Sequence, residues 1–527
     1  MEAILELPVE ELARRLASRA VTAVQVLEAY RARAEFVHKA CNCITQFIPQ
    51  AEDWARACDE HLARTGTTLG PLHGIPCSLK DHFAVAGTIS SMGSAVLRRK
   101  SEEAGGGKRD SAVFVGLRSL GAVPFAKTNM TQLGSTWGSG GPAFGDTLNP
   151  WDTRRTPGGS SCGEAALVAG CGSAFGVGSD VGGSVRIPSS FSGLATLKPT
   201  AQRTTFSLAD GTTILDHPGD YSVVAAAGVM ARRAADVSFV SAAIWGGVLW
   251  DLDLRMPRVP MRMEEIQGQA RLRVGVSSHL CWPAPCPTSL RVLTKAANSL
   301  RDQGYEVVDF DAAEALNMRE YRGVLWALKG VSGLDGDFGV DVSGDEVHPD
   351  LAGMSRRVDS LEADPIQPAR TAAQYCALMA KRDKLRDRFC KAMRAADLQL
   401  LLCPAWAFPA PLVEDVRVLG AAVQTTQVFN ALDLPAGVVS IGRVAPGELV
   451  YEPGSGDPDL DAAAKRAVSE GLPVAVQIVG LPWRDELVLR AMNDVASLGE
   501  IAGHSQLRPI PRRSAALGSA PVEVAKL

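Results

Sequence analysis

Three side chains in the first 190 residues carry the functional groups for acyl transfer without a histidine. Lys80 stands in Gly74-Ile75-Pro76-Cys77-Ser78-Leu79-Lys80-Asp81, and two serine-bearing glycine turns follow it. The first reads Thr156-Pro157-Gly158-Gly159-Ser160-Ser161-Cys162-Gly163-Glu164, and the second Gly178-Ser179-Asp180-Val181-Gly182-Gly183-Ser184-Val185-Arg186. A serine hydroxyl needs a base before it attacks a carbonyl, and a lysine can serve once burial favours its neutral form. The run Val181-Gly182-Gly183-Ser184 could place successive backbone N–H groups around one point, as an oxyanion hole requires.

Most glycine–serine turns are only turns, so competing readings matter. Gly159-Ser160-Ser161-Cys162-Gly163 also fits the nucleophile-elbow pattern, with Ser161 at its centre. That motif wants a strand directly before the serine, but residues 146–157 are polar and contain Pro150 and Pro157. It also wants a histidine near the end of the chain, and the only late one, His504, lies outside any motif. Gly176, Gly178 and Gly182 miss the dinucleotide-binding spacing, and no phosphate loop occurs. Cys41-Asn42-Cys43 lacks a second pair, so neither a zinc site nor any other metal or cofactor is expected.

The elements that must hold these groups read as alternating strands and helices. Residues 7–19 form an amphipathic helix, and Asp110 is a candidate N-cap for a helix carrying Val113, Leu117 and Leu120, stopped by Gly121. A short strand, Val123 to Ala126, follows. The rhythm returns as Leu272–Val276, Thr288–Leu300 and Glu306–Phe310, then as a long helix over 371–396 before Leu398–Leu402. This pattern predicts an α/β fold with a largely buried sheet. The two turns flank a small-residue apolar segment, so a helix between them would bring them together. Residues 331–370 and 444–470 read as polar insertions, and 506–527 as a flexible tail after a single domain over 1–505.

The chain has 527 residues, 46% hydrophobic and 21% charged, with a formal net charge of −4. That balance offers no field for nucleic acid or an anionic membrane. Eleven scattered cysteines argue for reduced thiols. No signal peptide opens the chain, and no stretch reaches the eighteen or so apolar residues of a membrane span. A cytoplasmic location is the expectation, with a peroxisomal one open because Ala525-Lys526-Leu527 resembles the Ser-Lys-Leu address.

The Lys80 segment, both serine turns and Ser192-Gly193-Leu194-Ala195-Thr196-Leu197-Lys198-Pro199-Thr200 resemble the amidase signature family. Pro435-Ala436-Gly437-Val438-Val439 and Gly471-Leu472-Pro473-Val474-Ala475-Val476-Gln477 are most similar to its fatty acid amide hydrolase branch. The resemblance runs from about residue 7 to 500 and places the catalytic core at about 70–205. It implies a large mixed twisted sheet covered by helices on both faces. It makes Ser184 the nucleophile, Lys80 the base and Ser160 the bridge, with a cis bond at Gly159-Ser160 and the N–H groups of Val181, Gly182, Gly183 and Ser184 around the oxyanion. Ser161, Asp180 and Arg186 then support the turns, and Trp137 is a substrate-lining candidate. The implied substrates are lipophilic amides such as fatty acid amides or N-acylethanolamines, and related esters. Alternatives within the fold are a glutamine-hydrolysing amidotransferase subunit and an amidase for small or aryl amides. Departures concern the lipid: Cys162 replaces the usual glycine, and the polar stretch His348 to Arg370 stands where animal enzymes carry an apolar membrane-docking cap. Weak or no membrane association is therefore expected, no nucleic-acid partner, and a homodimer stays open.

Overall fold

Runs such as Gly437-Val438-Val439-Ser440-Ile441 and Val474-Ala475-Val476-Gln477-Ile478 build the middle of one mixed sheet of eleven strands. The computed structural model describes residues 2–209, 222–331, 342–352, 369 and 371–499. In spatial order the strands begin at residues 44, 123, 76, 175, 226, 195, 436, 473, 400, 273 and 306. Pro76–Lys80 runs parallel to both neighbours, Val123–Thr128 and Phe175–Asp180, whereas Ala436–Arg443 is antiparallel to Ala195–Lys198 and Pro473–Gly480.

Both faces are covered, and one strand shows why. In Leu400–Pro404, Leu400 and Leu402 belong to one core cluster, while Leu401 and Cys403 belong to another. Side chains alternate across a strand, so a sheet buried on both faces reads as a continuous apolar run. The first cluster includes Val292, Leu293 and Ala296 of the helix Pro287–Asp302; the second includes Leu385, Phe389 and Met393 of the helix Ala372–Ala395. Each such Leu or Phe, taken fully out of water, stabilises the fold by roughly 1.5–3 kcal/mol.

One local expectation changes. The helix Ala112–Ser119 is capped by Ser111, whose Oγ accepts from Phe114 N–H; Asp110 instead accepts the Ala86 N–H at 2.7 Å through Oδ1. Both residue types cap well, and the carboxylate is drawn off by a neighbouring loop amide. The segment 444–470 contains a helix, Pro458–Ala467, capped by Asp457 and anchored by buried Leu460, Ala463 and Ala467. Most of the insertion at 331–370, His504 and the C-terminal tripeptide lie outside the described residues. No helix among the described residues is long and apolar enough to cross a membrane.

Candidate active site

Lys80 ends a strand that is buried along its whole length. Its Nζ lies 2.7 Å from Ser160 Oγ and 2.9 Å from Ser179 Oγ, and the side chain has no exposure. Burial brings its pKa down to about 7, against the pull of Cys162, Asp180 and Glu164. Among the described residues no carboxylate forms an ion pair with it. A lysine held this way is neutral in a large fraction of molecules at neutral pH and can accept a proton.

Glu164 also acts on Lys80 but forms no ion pair with it. It is fully buried, and desolvation raises its pKa to about 8 even though Ser78 Oγ donates at 2.6 Å, Thr128 Oγ1 donates at 2.8 Å and Lys80 lies close. Burial therefore favours the uncharged form of its carboxyl.

Ser160 follows a cis peptide bond after Gly159, and its carbonyl accepts from Thr131 N–H at 3.3 Å. Ser161 directly precedes the helix Cys162–Ala169, after which Phe175–Asp180 returns the chain to the site. The Ser161 N–H donates to the Ser184 carbonyl at 3.2 Å, stitching the two turns together. Ser161 Oγ faces the Ser179 carbonyl at 3.4 Å. Residues 147–160 form isolated bridges but no strand, so the elbow motif lacks the element that should present Ser161.

Asp180 organises the second turn. It accepts from the N–H of Gly183 at 2.7 Å and of Val185 at 3.2 Å, and from Asn430 Nδ2 at 2.8 Å. Arg186 grips it with Nε and one terminal nitrogen, each at 3.0 Å. Burial alone would raise the Asp180 pKa; the Arg186 guanidinium and the hydrogen bonds hold it well below the usual carboxylate range. Arg186 also donates to Thr426 O at 2.9 Å, Gln477 Oε1 at 2.7 Å and Asn430 Oδ1 at 2.6 Å. Gly183 has φ +121°, and a Cβ there would stand 2.2 Å from Thr426 Oγ1, so both backbone and packing demand glycine.

Of the four amides in the oxyanion candidate, that of Gly183 is committed to Asp180 in this structure. Those of Val181, Gly182 and Ser184 make no hydrogen bond to the described residues. The Ser184 hydroxyl is likewise uncommitted there, on a residue that is 7% exposed.

Trp137, the substrate-lining candidate, is held on several sides. It is buried, its indole N–H donates to Gly420 O at 3.2 Å, and its ring meets Trp406 and Phe191 edge-on. It props the backbone beside Gly159, where an added Cβ would meet Gly138 O and Trp137 C.

Several site residues carried no local signal. Ser179 reaches Lys80 from the neighbouring strand, and Asn430, Thr426 and Gln477 arrive from some 240–290 residues away. Ser179 could have been suspected from its place beside Asp180; the others could not.

Among the described residues one group has ligand-type atoms close enough for a metal, namely Asp146, His348 and Asp350, within 4.8 Å of one another. The imidazole is already engaged: Nε2 lies 3.3 Å from Asp146 Oδ1, and Nδ1 accepts the Asp350 N–H at 3.3 Å. With the Ser139 N–H donating to Asp350 Oδ2 at 3.2 Å, the arrangement joins the 343–352 segment to the 138–146 turn.

A family model described as Amidase matches residues 25–489. A fatty-acid amide hydrolase 1 of Sus scrofa is 31% identical over 94% of this chain and 86% of its own. An amidase of Gibberella moniliformis is 30% identical over 92% of this chain and 86% of its own. The solved structure of a fatty acid amide hydrolase superposes with a TM-score of 0.81 at 26% identity, covering 95% of this chain and 86% of that one.

Proposed function

The chain belongs to the amidase signature family and is a hydrolase of amide carbon–nitrogen bonds, and from that premise we propose that Ser184 is the nucleophile, Lys80 the base and Ser160 the hydroxyl relaying the proton between them. One observation carries this reading: a buried lysine with a pKa near 7, 2.7 Å from Ser160 Oγ, in a turn tied to the Ser184 turn.

Neutral Lys80 takes the Ser160 proton as Ser160 takes that of Ser184, and Ser184 Oγ attacks the amide carbonyl. The N–H groups of Val181, Gly182 and Ser184 stabilise the oxyanion, while Asp180 keeps Gly183 fixed between them. The proton travels back by the same route to the leaving nitrogen, which allows a poor amine leaving group to depart. Water, activated by the same relay, then hydrolyses the acyl-enzyme.

The proposed substrates are lipophilic carboxylic amides, namely fatty acid amides or N-acylethanolamines and related esters. Similarity to fatty acid amide hydrolases along nearly the whole chain supports this choice. A panel from glutamine and aryl amides to octanamide, oleamide and N-acylethanolamines tests it. Turnover confined to glutamine or to aryl amides would replace the lipid reading with one of its alternatives. A fluorophosphonate probe should modify Ser184 once and fail on Ser184→Ala; modification of Ser161 instead would defeat the nucleophile assignment.

A further inference from the structure

The helix Gln424–Ala431 lies across the second glycine turn, and its polar side chains can be accounted for one by one. Gln424 Oε1 accepts from Arg322 Nε at 2.7 Å. Thr425 Oγ1 reaches Ala422 O at 3.5 Å, and Thr426 Oγ1 donates to Gly182 O at 2.8 Å. Asn430 binds both Asp180 and Arg186. Gln427 differs. Its carboxamide makes no hydrogen bond to the described residues, although the residue is only 6% exposed. It rests on Gly182, where an added Cβ would lie 3.5 Å from Nε2 and 3.9 Å from Cδ.

A carboxamide offers two N–H donors and a carbonyl acceptor, and here neither is taken up by another described residue, although the residue is nearly buried. The group therefore stands ready for an outside partner beside Gly182, which precedes the proposed nucleophile by two residues. We infer that Gln427 is a specificity-determining residue that hydrogen-bonds a hydroxyl or similar polar group carried by the substrate within a few bonds of the scissile carbonyl. This rests on the reading of Ser184 as nucleophile in the same turn. It narrows the substrate class to lipophilic amides with one polar substituent near the reacting carbon.

The polar group belongs either to the leaving amine or to the acyl part, and two matched pairs separate these sources. N-(2-hydroxyethyl)octanamide against N-propyloctanamide probes the amine; 3-hydroxyoctanamide against octanamide probes the acyl side. The wild-type chain should favour the hydroxylated member of one pair by about tenfold or more in kcat/KM, since a site shaped to bind a hydroxyl rejects the analogue lacking it. In Gln427→Leu that ratio should fall to within about twofold of unity, and in Gln427→Met likewise, by loss of the same hydrogen bond. The ratio does not depend on how much of a variant is active, so partial misfolding cannot imitate the result. A wild-type preference that survives both substitutions, or its absence from both pairs, overturns the assignment of Gln427 alone. Failure of the wild-type chain to turn over any of the four amides overturns the lipophilic-amide reading and the inference with it.

Discussion

Lys80 and Asp180 are both fully buried, both end their strands, and those strands are neighbours in the sheet. Their surroundings are opposite. Lys80 meets two hydroxyls, and burial raises the pKa of the Glu164 carboxyl that could oppose its charge. Asp180 meets a guanidinium, two turn amides and an asparagine. Burial with a counter-charge locks a group in its ionised form; burial without one brings it to the edge of losing its charge. The same low-dielectric interior thus leaves one residue ionised and lowers the pKa of its neighbour.

The largest effect that breaks this contrast is Lys80→Ala. With the proposed base gone, kcat for a short-chain amide should fall by about 10²–10⁴-fold, measured by amine release. In the wild-type chain kcat/KM should decline as pH drops through about 7, because protonated Lys80 has no lone pair to offer. The alanine variant should lack that limb in its residual activity.

Next is the scaffold. Asp180→Asn leaves the Arg186 guanidinium buried without its counter-charge, which should lower stability by about 3–5 kcal/mol in urea unfolding. Adding Arg186→Met should recover part of the loss, since it is the orphaned charge that is unfavourable. A double variant less stable than the sum of the two single changes would show that the pair holds the turn through something other than charge compensation.

A smaller effect sharpens the Lys80 side. Its folded-state pKa lies below the ordinary lysine value, so between about 7 and 10.5 the unfolded chain binds the extra proton. Stability through this group therefore rises with pH across that window and is lowest below it. Lys80→Met should gain most in Tm, relative to wild type, below pH 7, and the gain should shrink toward pH 10. Smallest of all, Ser179→Ala removes one hydroxyl partner of the ammonium. The acid limb of kcat/KM should move down by less than about one pH unit, with kcat at alkaline pH hardly changed.

The contrast was only half legible in the sequence. Lys80, Ser160 and Ser184 lie in short segments whose residue types announce the chemistry, and Gly183 carries its conformational requirement in its own identity. The alternating pattern of 272–310 likewise yielded a strand at Arg273–Val276, a helix at Pro287–Asp302 and a strand at Glu306–Asp309. What surrounds those groups is set by the sheet order, which places strands from 76, 175, 436 and 473 within reach of one turn. No local pattern encodes that order, so Asn430, Thr426 and Gln477 stayed invisible, as did the burial of Glu164. The neighbours of Trp137 were hidden for a related reason, since no local pattern says that its ring packs on Trp406 and Phe191.

The reach of Arg186 has a consequence for how the protein is made. Its guanidinium draws acceptors from Thr426, Asn430 and Gln477, so the turn bearing Ser184 gains its full set of contacts only after the chain has been synthesised past residue 477. A nascent chain on the ribosome contains Lys80, Ser160 and Ser184 well before the strand bearing Gln477, which follows Arg186 by 291 residues. The second turn is therefore completed late, and a translation product that stops short of Gln477 carries those three residues without the contacts that hold that turn.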